Sequence, residues 1–262
     1  MGKSFRTRGG DTVRAGLLII NGDDWGGDPQ TTDRILECSM RGALSSVSAM
    51  VFMEDSVRAA ALAEEHRIEA GLHLNLTSPF SASCCPARLQ CHLQQIARHL
   101  QRHRFARVIF HPGLVDSFRY VVEAQFEEFR RIYGKEPTKL DGHHHMHLCA
   151  NVLKQKLIPS GMMVRRNFSF NRGEKGSLNR LYRGAIDASL ARRHRLTDCF
   201  FSLDPLEPSG RLRRIYSLAR NSVVELATHP VHPDEYRYLA GGEILRELGD
   251  IQIARSSAAL RF

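Results

Sequence analysis

The sequence predicts an α/β fold built on a mainly parallel sheet, either open or closed into a barrel. Two observations carry this expectation. Short apolar or β-branched runs alternate with amphipathic helical stretches along the chain. The polar residues hardest to explain by packing also fall at the ends of those runs, where such folds gather their chemistry. At 262 residues the chain can bury the core of one large domain, and no Ser/Gly/Pro-rich linker divides it.

Residues 17–20 read as a buried strand that opens into a Gly-rich loop at 21–28. A helix is expected over 31–43, with Leu36, Met40 and Ala43 on its inner face and Arg34, Glu37 and Arg41 outside. Residues 45–52 read as the second strand, and Asp55 or Ser56 caps a helix reaching about Glu65. The third strand covers 69–77. Over 78–113 the pattern breaks, first Ser/Pro/Cys-rich and then a His/Arg-rich helix, and this stretch is read as an insertion or lid. Asp116 or Ser117 opens a helix whose stripe is Val122, Phe126, Phe129 and Tyr133, closed by Gly134 and Pro137. Residues 138–143 form a strand, 152–158 a helix ended by Pro159 and Gly161, and 162–165 and 223–228 two further strands. The first fifteen residues carry Lys3, Arg6, Arg8 and Arg14 and read as a frayed basic N-terminus, so that the domain runs from 16 to 262.

Composition narrows the function classes. Hydrophobic residues make up 42% and charged residues 25%, ordinary for a folded protein. No apolar run is long enough to cross a bilayer, and no apolar segment of signal-peptide length follows the basic start. A cytoplasmic protein without stable membrane insertion is the expectation. The net charge is +9, but the arginines are scattered, with no basic run interleaved with aromatics, so no nucleic-acid partner is inferred. The six cysteines form no CxxC pair. Cys84, Cys85 and Cys91 lie close to His92, but reduced thiols are the plainer reading.

Four polar clusters end strand-like runs. Asp23-Asp24 follows the first strand between Gly22 and Gly26; an Asx turn explains one of these carboxylates, not two. In residues 71–77 the period-two alternation puts His73, Asn75 and Thr77 on one face and Leu72, Leu74 and Leu76 on the other. Three polar side chains facing one way in a buried strand must find partners or line a wet cavity. Residues 141–147 read Asp-Gly-His-His-His-Met-His. In extended geometry Asp141, His143, His145 and His147 would share a face, and imidazole is a common metal ligand. His229-Pro230 ends the last strand; taken alone, a structural turn is an equal reading. His111-Pro112 has the same look and receives no role. One carboxylate and two imidazoles from separate strands would make a half-open metal site, with the spare aspartate free to take a proton from water.

The stretches LLIINGDDWG at 17–26, RILECSMRGALSSVSAMV at 34–51, AGLHLNLT at 70–77, FEEFRRIYGKEPTKLDGHHHMHL at 126–148 and VELATHP at 224–230 together resemble the YdjC-like carbohydrate deacetylases. That family includes chitooligosaccharide deacetylases and hopanoid-biosynthesis-associated deacetylases. The resemblance implies a distorted (β/α) TIM-like barrel in one domain and removal of an acetyl group from an N-acetylated mono- or oligosaccharide. It implies one divalent ion, Mg²⁺ or Zn²⁺, held by Asp24, His73 and His143. Asp23 would act as general base and His229 as proton donor to the leaving amine. Asn75, Arg165 and His145 are assigned to the substrate, Arg165 with the further option of orienting a carboxylate. The turn DDWGGDPQTT and the 78–113 stretch depart from the family pattern, which bears on the sugar recognised. A homodimer is left open. Two rivals stand beside this reading: a sugar-binding protein without turnover, and a two-histidine, one-carboxylate iron(II) oxygenase.

Overall fold

The computed structural model describes residues 16–103, 105–170 and 174–254; the expected frayed segment 1–15 lies outside them. In chain order the elements are β1 (Leu17–Trp25), α1 (Pro29–Met40), β2 (Ser46–Ala49), α2 (Ser56–Glu65), β3 (Ala70–Leu74), α3 (Ala87–Gln101) and α4 (Val115–Tyr133). There follow β4 (Lys139–Gly142), α5 (Ala150–Gln155), β5 (Met163–Val164), α6 (Ser177–Ala191), β6 (Cys199–Ser202), α7 (Ser209–Leu218), β7 (Val223–Thr228), α8 (Pro233–Ala240) and α9 (Glu243–Leu248). The seven strands form one sheet in the order β5-β4-β3-β2-β1-β7-β6, and every neighbouring pair is parallel.

The sheet curls strongly. In a flat sheet β5 and β7 would stand five strand spacings apart, roughly 24 Å. Here Arg165, directly after β5, donates from Nε to Glu225 Oε1 of β7 at 2.9 Å. The gap between the edge strands is bridged by backbone bonds from Val164 N to Arg195 O and from Ser169 N to Phe200 O, both 2.9 Å. The expected TIM-like barrel is thus present in distorted form.

Strand alternation sorts side chains between the barrel interior and the helical layer. Leu18, Ile20, Val47, Leu72, Leu74, Leu140, Val164, Val224 and Leu226 face outward into one large apolar core beneath the helices. The inward positions begin with a small apolar floor of Ile19, Met163, Val223 and Ala254. Above it most inward side chains are polar, namely Asn21 and Asp23 on β1, Ser46 and Ser48 on β2, His73 on β3, Lys139 and Asp141 on β4, and Glu225 on β7, all buried, while Phe200 of β6 lies under the Arg165 guanidinium.

Some boundaries differ from the sequence reading. Helix α1 starts earlier than expected because Asp28 caps it, accepting from Thr31 N at 2.9 Å. It stops at Met40, and Gly42 takes φ +76°, so Ala43 and Leu44 reach the core from a loop. The face buried is therefore Thr31, Thr32, Ile35 and Cys38, while Met40 is 61% exposed. Within 78–113, α3 buries Leu89, Leu93, Ile96 and Leu100 and packs along α4, so its apolar stripe belongs to the core.

Candidate active site

Adjacent strand residues normally point to opposite faces, so Asp23 and Asp24 should part company. They do not, because β1 is irregular: its register with β2 shifts between Gly22 and Trp25, and Asp24 adopts φ +66°. A bulge of this kind re-aims a side chain, and a left-handed aspartate is uncommon enough to mark a constrained site. Trp25 pins the bulge, fully buried and donating from Nε1 to Ala59 O of α2 at 3.2 Å. Both carboxylates consequently face the barrel mouth.

There Asp24 meets two histidines from distant elements. Its Oδ1 lies 3.2 Å from His73 Nε2 and 2.9 Å from His143 Nδ1. One ligand atom from each of the three falls within 4.8 Å of the others; Asp23, His73 and Asp141 form a second such group among the described residues. The other nitrogen of His73, Nδ1, lies 2.7 Å from Asp141 Oδ1. That carboxylate fixes the ring orientation and leaves Nε2 for the mouth.

Arg165 organises the carboxylates beneath. It donates to Asp23 from Nη1 at 2.6 Å and from Nη2 at 2.8 Å, reaches Asp141 Oδ2 at 2.8 Å, and bonds Glu225 through Nε. Ser48 donates to Asp141 Oδ2 at 2.5 Å, and Asn21 Nδ2 donates to Asp23 Oδ1 at 2.6 Å. Lys139 lies deeper, bonded to Asn21 and to Ser46 Oγ at 3.1 Å, and 3.8 Å from Glu225. Gly71 makes room for it: a Cβ there would stand 2.3 Å from Lys139 Cγ and 2.8 Å from its carbonyl oxygen.

The electrostatics follow from the count. Asp23, Asp24, Asp141 and Glu225 face Arg165 and Lys139, which leaves two negative charges when the imidazoles are neutral. Burial opposes ionisation of Asp23, but Arg165 prevails and lowers its pKa. Burial likewise opposes ionisation of Asp24, yet His143 and His73 hold its carboxyl well below the ordinary value. Burial opposes charge on His73, but Asp141 and then Asp24 push it up to about 10. The pocket therefore demands positive charge, from a proton on His73 or from a cation that displaces it. One carboxylate, two imidazoles and a deficit of two positive charges fit a divalent ion.

The histidine tract is not extended. His144 and His145 take φ +53° and +58° within a 3-10 segment, His143–Leu148, and the side chains scatter in consequence. His143 joins Asp24, His144 Nδ1 meets Thr77 Oγ1 at 2.9 Å, and His147 is buried with Nε2 on Arg165 O at 2.9 Å. Gly142 permits this turn, since a Cβ there would sit 2.9 Å from the His147 backbone nitrogen. His145 packs edge-on against Phe168, with ring centroids 4.4 Å apart. It lines a cavity of about 660 Å³ with Leu148, Asn167 and Phe168. His229 Nε2 lies 3.7 Å from Asp23 Oδ2, and its backbone N–H donates to Glu235 Oε2 at 2.7 Å.

One substrate assignment needs correction. Asn75 is fully buried and spends its side chain on the following turn, accepting from Thr77 N and Ser78 N and donating to Ser78 O. Arg165 is 2% exposed and its guanidinium is committed to three carboxylates, which fits the other role the sequence offered it, orienting a carboxylate. The sequence reading gave no site role to Lys139, Asp141 or Glu225. The signal was present: Lys139 and Asp141 alternate about Leu140 in a strand, and Glu225 interrupts the apolar run 223–227.

The family model described as "YdjC-like protein" matches residues 17–258. A carbohydrate deacetylase of Homo sapiens is 29% identical over 82% of this chain and 75% of its own length. One of Mus musculus is 30% identical over 52% of this chain, and the match spans only 44% of that relative. A chitooligosaccharide deacetylase of Enterobacter sp. (strain 638) is 28% identical over 67% of this chain and 64% of its own length. Among solved structures, a protein of Enterococcus faecalis V583 named for cellobiose-phosphate cleavage superposes with a TM-score of 0.66 at 18% identity. It covers 93% of this chain and 97% of that one, a likeness of fold. The chain belongs to the YdjC-like protein family.

Proposed function

We propose that this chain is a metal-dependent hydrolase that removes the acetyl group from an N-acetylated mono- or oligosaccharide, giving acetate and an amino sugar. The convergence of Asp24, His73 and His143 from three separate elements onto one point is the observation that carries the reading, and the names of the relatives supply the substrate class. One divalent ion held by these three residues supplies Lewis acidity and lowers the pKa of water at the site towards roughly 7 to 9. The two imidazoles favour Zn²⁺ over Mg²⁺, which prefers oxygen donors.

The chain's own residues do the rest. Asp23, kept ionised by Arg165, accepts a proton from the attacking water. His229, one-third exposed beside Asp23, delivers a proton to the departing amine nitrogen. Glu235 holds the His229 backbone in place for this transfer. His145 borders the cavity that receives the sugar.

Acetate release from a panel of N-acetylated mono- and disaccharides, by metal-loaded and chelator-stripped protein, tests the proposal. The loaded protein should turn over at least one sugar and the stripped protein none. No acetate from any of them would defeat it. Oxygen consumption with ferrous iron instead would move the same three ligands to an oxygenase.

A further inference from the structure

Ten large apolar side chains stand exposed among the described residues, and four of them line one cavity: Phe105, Val108, Leu178 and Tyr182. Leu178 is 83% and Leu181 72% exposed. His145 lines the same cavity, and the exposed Ile109 and Leu181 stand next to Val108 and Tyr182 in the sequence. Helix α6 buries only Asp187 and Leu190, both in its second half, so its first two turns hold apolar residues clear of the core. Clustered exposed apolar side chains mark interaction surfaces.

The same face is basic. Arg107 and Arg183 line the cavity, Arg102 and Arg180 belong to the same two segments, and the carboxylates that bound 175–186, Glu174 and Asp187, pair with Arg214 and Arg166. Burial and the nearby Arg107 charge hold Arg183 below its ordinary pKa against the opposing pull of Asp187, and an anion in the cavity would relieve the repulsion between the two arginines. A second copy meeting this face symmetrically would set arginine against arginine. An anionic bilayer satisfies both halves of the pattern, taking the apolar side chains at its acyl boundary and the guanidinium groups at its phosphates. No helix among the described residues is long and apolar enough to cross a membrane.

We infer that the rim formed by residues 105–109 and the first two turns of α6 docks peripherally on an anionic lipid surface, with the cavity mouth turned towards the bilayer. This inference does not rest on the hydrolase reading.

Co-sedimentation of the full chain with vesicles of phosphatidylcholine, alone or mixed with phosphatidylglycerol, tests it. Binding to the anionic vesicles should exceed binding to the neutral ones by about tenfold or more and fall as salt is raised. The double variant Ile109→Glu, Leu181→Glu changes exposed residues outside the cavity lining. It should lose vesicle binding about tenfold while keeping its thermal midpoint and its acetate release from a soluble N-acetylated disaccharide. Equal binding by the variant, or no binding to either vesicle, overturns the inference. So does a wild-type dimer at assay concentration that the variant dissociates, because the face would then belong to a second copy. Vesicle binding without acetate release would count against the hydrolase reading alone, and acetate release without vesicle binding against the docking alone.

Discussion

At the scale of single residues, the account turns on how buried charges are kept in use. Asp23 is 3% exposed and stays ionised because Arg165 grips both its oxygens. Asp23→Asn keeps one acceptor for Arg165 and should leave metal content unchanged, while acetate release falls about 10²- to 10⁴-fold. Parallel metal analysis and kinetics would check the split. Arg165→Met strands Asp23, Asp141 and Glu225 without their shared cation, and should cost about 3–5 kcal/mol in urea unfolding. Glu235 offers a pH test. Burial pushes its carboxyl up to about 7, against the opposing hydrogen bond from His229 N–H. The unfolded chain therefore releases this proton first as pH rises. The stability contributed by neutral Glu235 is complete below about pH 4.5 and disappears as pH climbs to about 7, at up to about 1.4 kcal/mol per unit. Glu235→Gln should flatten that part of the stability–pH curve, and an unchanged slope would show that the carboxyl is ordinary.

At the scale of elements, the site depends on short departures from regular geometry. The β1 bulge brings Asp24 to the same mouth as Asp23, and the 3-10 turn after β4 sends four neighbouring histidines to four different surroundings. These were the places where the sequence was hardest to read. Alternation correctly faced His73 inward, because β3 is regular. It misplaced Asn75 as a substrate contact because β3 ends at Leu74, and it misread 143–147 because no residue type there announces positive φ. The close approaches suggest a paired test. Gly71→Ala forces a Cβ against the Lys139 backbone and should destabilise the barrel by at least about 1–3 kcal/mol. Gly184→Ala lies inside α6 with open space around its added methyl, and should stabilise by about 0.5–1 kcal/mol. Thermal unfolding of the two variants would separate steric crowding from a general intolerance of glycine replacement.

At the scale of the whole molecule, the alternation of strands and helices was enough to predict a mainly parallel sheet, the family resemblance added the barrel, and strand ends marked Asp23, Asp24, His73, His143 and His229 for attention. The interior network of Lys139, Asp141, Arg165 and Glu225 was less visible. Its members pair only after the sheet has curled, and no local pattern in β5, two residues long, shows that Arg165 will reach β7. That closure joins fold and site: the arginine that bridges the barrel also neutralises the carboxylates under the candidate centre. Removing a resident ion should therefore lower the thermal midpoint of the whole domain, since a ligand bound only by the folded state stabilises it by mass action.

The most direct measurement is the metal content of the chain after loading with Zn²⁺ or Mg²⁺ and gel filtration, for wild type and for His73→Ala and His143→Ala. One divalent ion per wild-type chain is expected and a large loss in each variant, with the partly exposed His143→Ala protein still folded. A wild-type chain that retains no ion, or variants that retain it undiminished, would contradict the proposed centre.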